Sequence, residues 1–145
     1  MELETTMKNA LRTLAITGGL LMSGAAIAQS VDYGQSEYAA SCAGCHGTAG
    51  RGDGHFREYL NRAPADLTVL ARSNGGVFPA QRVFDAIDGR RTVGGHGRAG
   101  EMPIWGAAYA SQAKGDPTVA GLAPETAARL KISLLVDYLY RIQQR

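Results

Sequence analysis

Cys42-Ala43-Gly44-Cys45-His46 gathers more reactive side chains than any other stretch of the chain: two thiols at i and i+3, then an imidazole. On one helical turn that spacing projects both sulfurs from nearly the same side. Each can form a thioether to one former vinyl group of a single porphyrin. His46 is carried over the ring plane, where a nitrogen can bind the iron as proximal ligand. Cys-x-x-Cys-His is the attachment signature of a c-type haem. Other chemistries use less of the pattern. A thiol-disulfide centre sits at a helix start within a βαβ unit, and no Val/Ile-rich strands flank these cysteines. Structural zinc needs four ligands, and the remaining Cys/His candidates are His55 and His96, in no recognisable second pair. A structural disulfide would close a very small loop.

A haem iron can take a second axial ligand, and residues 92–106 hold the best candidates. Methionine offers a soft, neutral thioether suited to low-spin iron that shuttles between two oxidation states. Met102 lies in a Gly-rich loop rather than on an apolar helical stripe, so ordinary core packing does not explain it. Pro103 directly behind it stiffens the presenting loop. Met1, Met7 and Met22 all fall in the first 28 residues. The choice is among Met102, His96 and His55, with Met102 favoured.

These side chains need elements to position them. Asp32 can cap a helix running from Tyr33 into the cysteine pair, with Gln35 at the reciprocal capping-box position. Gly34, Tyr38 and Cys42 recur every four residues and share a face of it. Glycines 47, 50, 52 and 54 predict a backbone turning tightly beside a flat ligand. Pro64 and Asp66 predict a short helix through about Arg72, ended by Asn74-Gly75-Gly76. A metal-bound histidine normally donates its other N–H to a carbonyl or carboxylate. The carbonyl of Pro64, or of a neighbour in that loop, is the candidate partner for His46. Phe78-Pro79 starts a helix to about Asp88, with Val83, Phe84 and Ile87 on one stripe, stopped by Gly89. The segment from Tyr109 to Ala123 reads as loop. A last helix runs from Pro124 to about Gln143, with Ala128, Ile132, Leu135, Leu139 and Ile142 as its stripe, widened by Leu134 and Tyr138. Its natural partner is the Gly34/Tyr38 face.

Composition bounds what this can amount to. With 145 residues, 45% of them hydrophobic, the chain holds one modest core at most. Its 19 glycines and 7% aromatics argue for a loop-rich fold, and a buried haem would add apolar contact area. A net charge of +2 makes no case for nucleic acid. The arginines of the middle third are interspersed with Asp53, Glu58, Asp66, Asp85 and Asp88, the pattern of a solvated mixed surface. Residues 1–28 read as an export signal: Lys8 and Arg12, the apolar or small run Thr13 to Met22, and the small-x-small site Ala26-Ile27-Ala28. Met7 is a more natural start than Met1, given Glu2 and Glu4. The expectation is a bacterial-type export to the periplasm, a mature domain over residues 29–145, and no membrane span in that domain.

From Tyr33 to the C-terminus the chain resembles a class I monohaem cytochrome c. The resemblance rests on Gly34-x-x-x-Tyr38-x-x-x-Cys42, the Cys42–His46 motif, Met102-Pro103-x-Trp105-Gly106 and the final helix. It implies an all-α fold with crossed terminal helices, one covalent haem in a crevice with an exposed edge, His46 and Met102 as axial ligands, and electron transfer rather than catalysis as the task. Partners would be redox proteins met transiently, by a monomer or a subunit of a redox complex. Arg90, Arg91, Arg98 and Trp105 are candidates for the haem edge or its propionates, beside the plainer reading of surface arginines and a core tryptophan. The alternative is a haem-containing periplasmic oxidoreductase or its subunit, peroxidase-like or acting on sulfur compounds. Such activities need an open iron position, a second haem or a reactive cysteine, and the sequence offers one haem motif and no spare cysteine.

Overall fold

The last helix organises the fold. In a computed structural model of the chain, describing residues 31–89 and 102–144, every regular element is helical. In chain order these are α1 (Tyr33–Ser41), α2 (Ala43–His46), α3 (Ala80–Asp88), α4 (Trp105–Gln112) and α5 (Pro124–Arg141), with short 3-10 turns between them. α1, α3 and α4 all pack against α5. The α5 stripe is the reason: Ala128, Ile132 and Leu135 are 0% exposed and Leu139 4%. Burying one such leucine contributes about 1.5–3 kcal/mol. Among the described residues no helix is long and apolar enough to cross a membrane.

α1 crosses α5 where it carries glycine. A Cβ on Gly34 would overlap the carbonyl oxygen of Leu134 and meet Tyr138 Cβ at 3.0 Å, so the two backbones touch there. One turn on, Tyr38 is buried with its ring tilted against Tyr138, centroids 5.1 Å apart. The Gly34/Tyr38 face therefore meets α5 as its spacing predicts. Asp32 caps α1, its Oδ1 accepting from Gln35 N at 3.0 Å. The same carboxylate takes both arms of the Arg141 guanidinium, at 2.6 and 2.9 Å, tying the start of α1 to the end of α5.

The Arg141 fork, and then the Gln35 amide, bring the Asp32 pKa from 3.8 down to about 2. A carboxylate depressed in the folded state contributes stability in full above its unfolded value, and loses it as pH falls through the folded one. Asp32→Asn is therefore expected to make the urea midpoint fall less than wild type between pH 3.8 and about 2. Asp116, held down chiefly by its hydrogen bond from Lys131, keeps its own share of that fall. Equal pH slopes in the two proteins would show the fork to be energetically silent.

The structure departs from expectation in three places. α1 does not run unbroken into the cysteine pair: Cys42, at φ −119° and ψ −36°, separates it from α2. No α-helix spans Pro64 to Arg72; the chain makes 3-10 turns at Leu67–Val69 and Arg72–Asn74. The bond that a helix would make from Ala71 N–H to Leu67 C=O is intercepted by the side-chain amide of Gln143. Its oxygen accepts from Ala71 at 2.9 Å and its nitrogen donates to Leu67 at 2.7 Å. Finally, α4 covers part of the segment read as loop. It is alanine-rich, with Trp105 and Tyr109 at i, i+4 stacked 5.3 Å apart. The predicted α3 forms as Ala80–Asp88, ended by Gly89 at φ 71°. α5 ends at Arg141, two residues before the expected end at about Gln143 and within the usual fraying of a helix end.

Candidate functional site

α2 is too short to hold itself, and the chain that follows braces it. A helix leaves its last carbonyls without partners. Here the loop doubles back to satisfy them: Phe56 N donates to Gly44 O (3.0 Å), Gly54 N to Cys45 O (3.1 Å) and Gly52 N to His46 O (2.8 Å). So close an approach excludes a side chain, since a Cβ on Gly54 would overlap the backbone of Gly44 and Cys45. From the other side, the Tyr38 hydroxyl donates to Gly47 O at 2.7 Å. The backbone of Gly44, Cys45, His46 and Gly47 is thus fixed before any ligand is considered.

His46 is 8% exposed, with Nδ1 3.0 Å from the carbonyl oxygen of Ala65. A carbonyl only accepts, so Nδ1 carries the proton and Nε2 keeps its lone pair. Burial pushes the imidazole pKa down, with the Ala65 bond partly opposing, which favours the neutral form a metal requires. The partner is Ala65, the neighbour of Pro64. The Pro64 carbonyl instead faces Gly52, where a Cβ would overlap it.

Two cavities meet at this ring. One, about 390 Å³, is walled by Cys42, Cys45, Leu60, Ala63, Pro103 and Trp105 among others. The other, about 210 Å³, runs inward against Leu67, Val83, Ile87, Leu135 and Leu139. Cys42, His46, Ala65 and Met102 belong to the walls of both. Met102 is half-buried and rests on the core cluster. The structure thus brings together two free thiols, a neutral imidazole and a thioether around an apolar crevice. That donor set suits a borderline-to-soft transition metal inside an apolar planar group. The first cavity alone falls in the usual size range of a cofactor pocket.

The other candidate residues fare differently. His55 is exposed, its ring against Phe56 at 3.9 Å, and it lines neither of these cavities. Trp105 lines the larger one and stacks on Tyr109. Arg90, Arg91, His96 and Arg98 lie outside the described residues. Among the described residues no three of His, Cys, Asp and Glu come together as a metal-binding group, so a zinc set of Cys42, Cys45, His46 and His55 is not assembled. Burial pushes the Cys42 thiol up to about 12, with Glu37 and Cys45 adding to it. A thiol so firmly protonated is a poor partner in disulfide exchange. Sequence reasoning missed Leu60 and Ala63 in the wall and Gln143 behind it. Small and apolar residues in an irregular loop carry no spacing signal, and a glutamine beyond a helix reads as surface.

No family model, curated protein or solved structure matches the chain.

Proposed function

We propose that this chain is a periplasmic one-electron carrier of the class I cytochrome c type. A single haem would be bonded to Cys42 and Cys45 and held axially by His46 and Met102. The observation that carries the reading is that Cys42, His46 and Met102 wall the same pair of adjoining apolar cavities, while His46 Nδ1 is committed to Ala65. Bound there, the haem iron supplies reversible one-electron chemistry.

The chain's own residues do the rest. The Ala65 carbonyl holds the imidazole at Nδ1 and leaves Nε2 as the atom that would bind the iron, and Pro103 stiffens the backbone directly after Met102. Leu67, Val83, Ile87, Leu135 and Leu139 exclude water from the inner side, and a dry pocket with a thioether ligand favours the reduced state. Were His46 and Met102 both to hold the iron, no place would be left on it for a substrate. Electrons would then pass at the exposed side, to redox proteins met through small, transient patches.

Expression with an export signal in a host that installs c-type haem is expected to yield coloured protein that keeps its colour through acid-acetone extraction. The oxidised form should show six-coordinate low-spin spectra with a sulfur-to-iron charge-transfer band. Met102→His is expected to abolish that band and lower the reduction potential. Wild-type coordination retained in that variant removes Met102 from the site. Tight binding of carbon monoxide or cyanide at native pH would favour the oxidoreductase reading instead.

A further inference from the structure

Beyond the end of α5, Gln143 closes a set of contacts that leads to the His46 ring. Its amide accepts from Ala71 N at 2.9 Å and donates to Leu67 O and to Leu139 O, both at 2.7 Å. Gln144 adds two more bonds to the same segment, from its backbone N to Thr68 O and from its side chain to Thr68 Oγ1, each 2.8 Å. On the opposite side Leu67 N donates to Gly50 O at 2.7 Å. Asp66, between the clamp and Ala65, is held by Thr68 N at 2.8 Å and Thr68 Oγ1 at 2.6 Å. One residue earlier stands the carbonyl that meets His46 Nδ1.

The geometry points to Gln143 as a positioning residue for His46, an amide that fixes the acceptor of the imidazole's second nitrogen without touching the ring. Its use follows from what it displaces. Leu67 C=O and Ala71 N–H are four residues apart and would pair with each other if this segment became helical. Gln143 occupies both and ties them to Leu139 on α5, so the path of the backbone leading from Ala65 is set by the core helix rather than by local propensity. A fixed Nδ1–H···O bond would make Nε2 a stronger donor to a bound iron and so favour its oxidised state. That effect would oppose the pull of Met102 on the potential. The inference rests on the proposed haem ligation.

The test compares haem-loaded wild type, Gln143→Leu and Asp32→Asn. Asp32→Asn loosens the same end of α5 from α1 without touching Leu67 or Ala71. Two quantities are read in each: the exchange rate of the His46 Nδ1 proton by nitrogen-15 NMR of the reduced protein, and the midpoint potential. Gln143→Leu is expected to speed exchange about tenfold or more. It should also shift the oxidised-to-reduced ratio at fixed poise about tenfold toward reduced, which is ~59 mV upward for one electron. Asp32→Asn should lower the urea midpoint and leave both quantities at wild-type values. If Gln143→Leu fails to load haem, Gln144→Leu, which removes only the Thr68 Oγ1 contact, is expected to move both in the same direction by less. Unmoved exchange and potential in the glutamine variants, or an equal response in Asp32→Asn, overturn the assignment while leaving the haem reading intact. A colourless wild type overturns both.

Discussion

A Cys42→Ala, Cys45→Ala double variant is expected to leave a haem-installing host without covalent colour, and to lose its cooperative fold as well. The first loss follows from the chemistry, because no other cysteine exists to form a thioether. The second follows from magnitudes. The inner cavity alone measures about 210 Å³, and apolar space left unfilled costs about 24 cal/mol per Å³, or ~5 kcal/mol here. Domains of this size have only about 5–15 kcal/mol in total. Collapse of the walls would recover part of that penalty, at the expense of the α3 and α5 packing that lines the cavity. Acid-acetone extraction reads the first effect and a far-UV thermal scan the second. A variant that is colourless yet melts as sharply as the loaded wild type would show that the fold does not depend on the group.

Gly34→Val is expected to be the most damaging single change outside the crevice. The obstacle is backbone: any Cβ there overlaps the Leu134 carbonyl oxygen, which cannot rotate away as a side-chain tip would. α1 must then lift from α5, uncovering Tyr38 and Tyr138, and overpacking of this kind costs about 1–3 kcal/mol or more. Since α1 leads directly into Cys42, haem content should fall with stability. Gly115→Ala is the control, with nothing within 4 Å of the added methyl, and should lie within about 0.5 kcal/mol of wild type. Urea titration of the three proteins decides it. Near-equal midpoints for Gly34→Val and wild type would falsify the helix crossing.

The parts of the molecule legible in the sequence are those whose signal is local. The spacing of Cys42, Cys45 and His46 puts them within one turn of each other, although the loop through Phe56 is needed to hold that turn in place. The Asp32 cap, the Gly89 stop and the α5 stripe depend on residues within a few positions of each other, and each forms as its spacing implies. The Gly34/Tyr38 face needed only complementary small and apolar surfaces on two helices. α4 escaped because Gly106 and the lack of an apolar stripe hid a helix that packing against α5 supports.

By itself, then, the sequence determined which side chains form a thiol–imidazole group on one turn and which faces of α1 and α5 turn inward. Only the tertiary structure decided that Ala65 rather than Pro64 meets the His46 ring, and that the segment after it is 3-10 rather than α-helical. It also decided that Met102 shares the walls of the His46 cavities while His55 stays outside them. The physical reason is one of range and identity. A main-chain carbonyl looks the same at every residue, and the amide that diverts Leu67 and Ala71 from each other lies 76 and 72 positions away. No window of sequence short enough to show a period contains both partners.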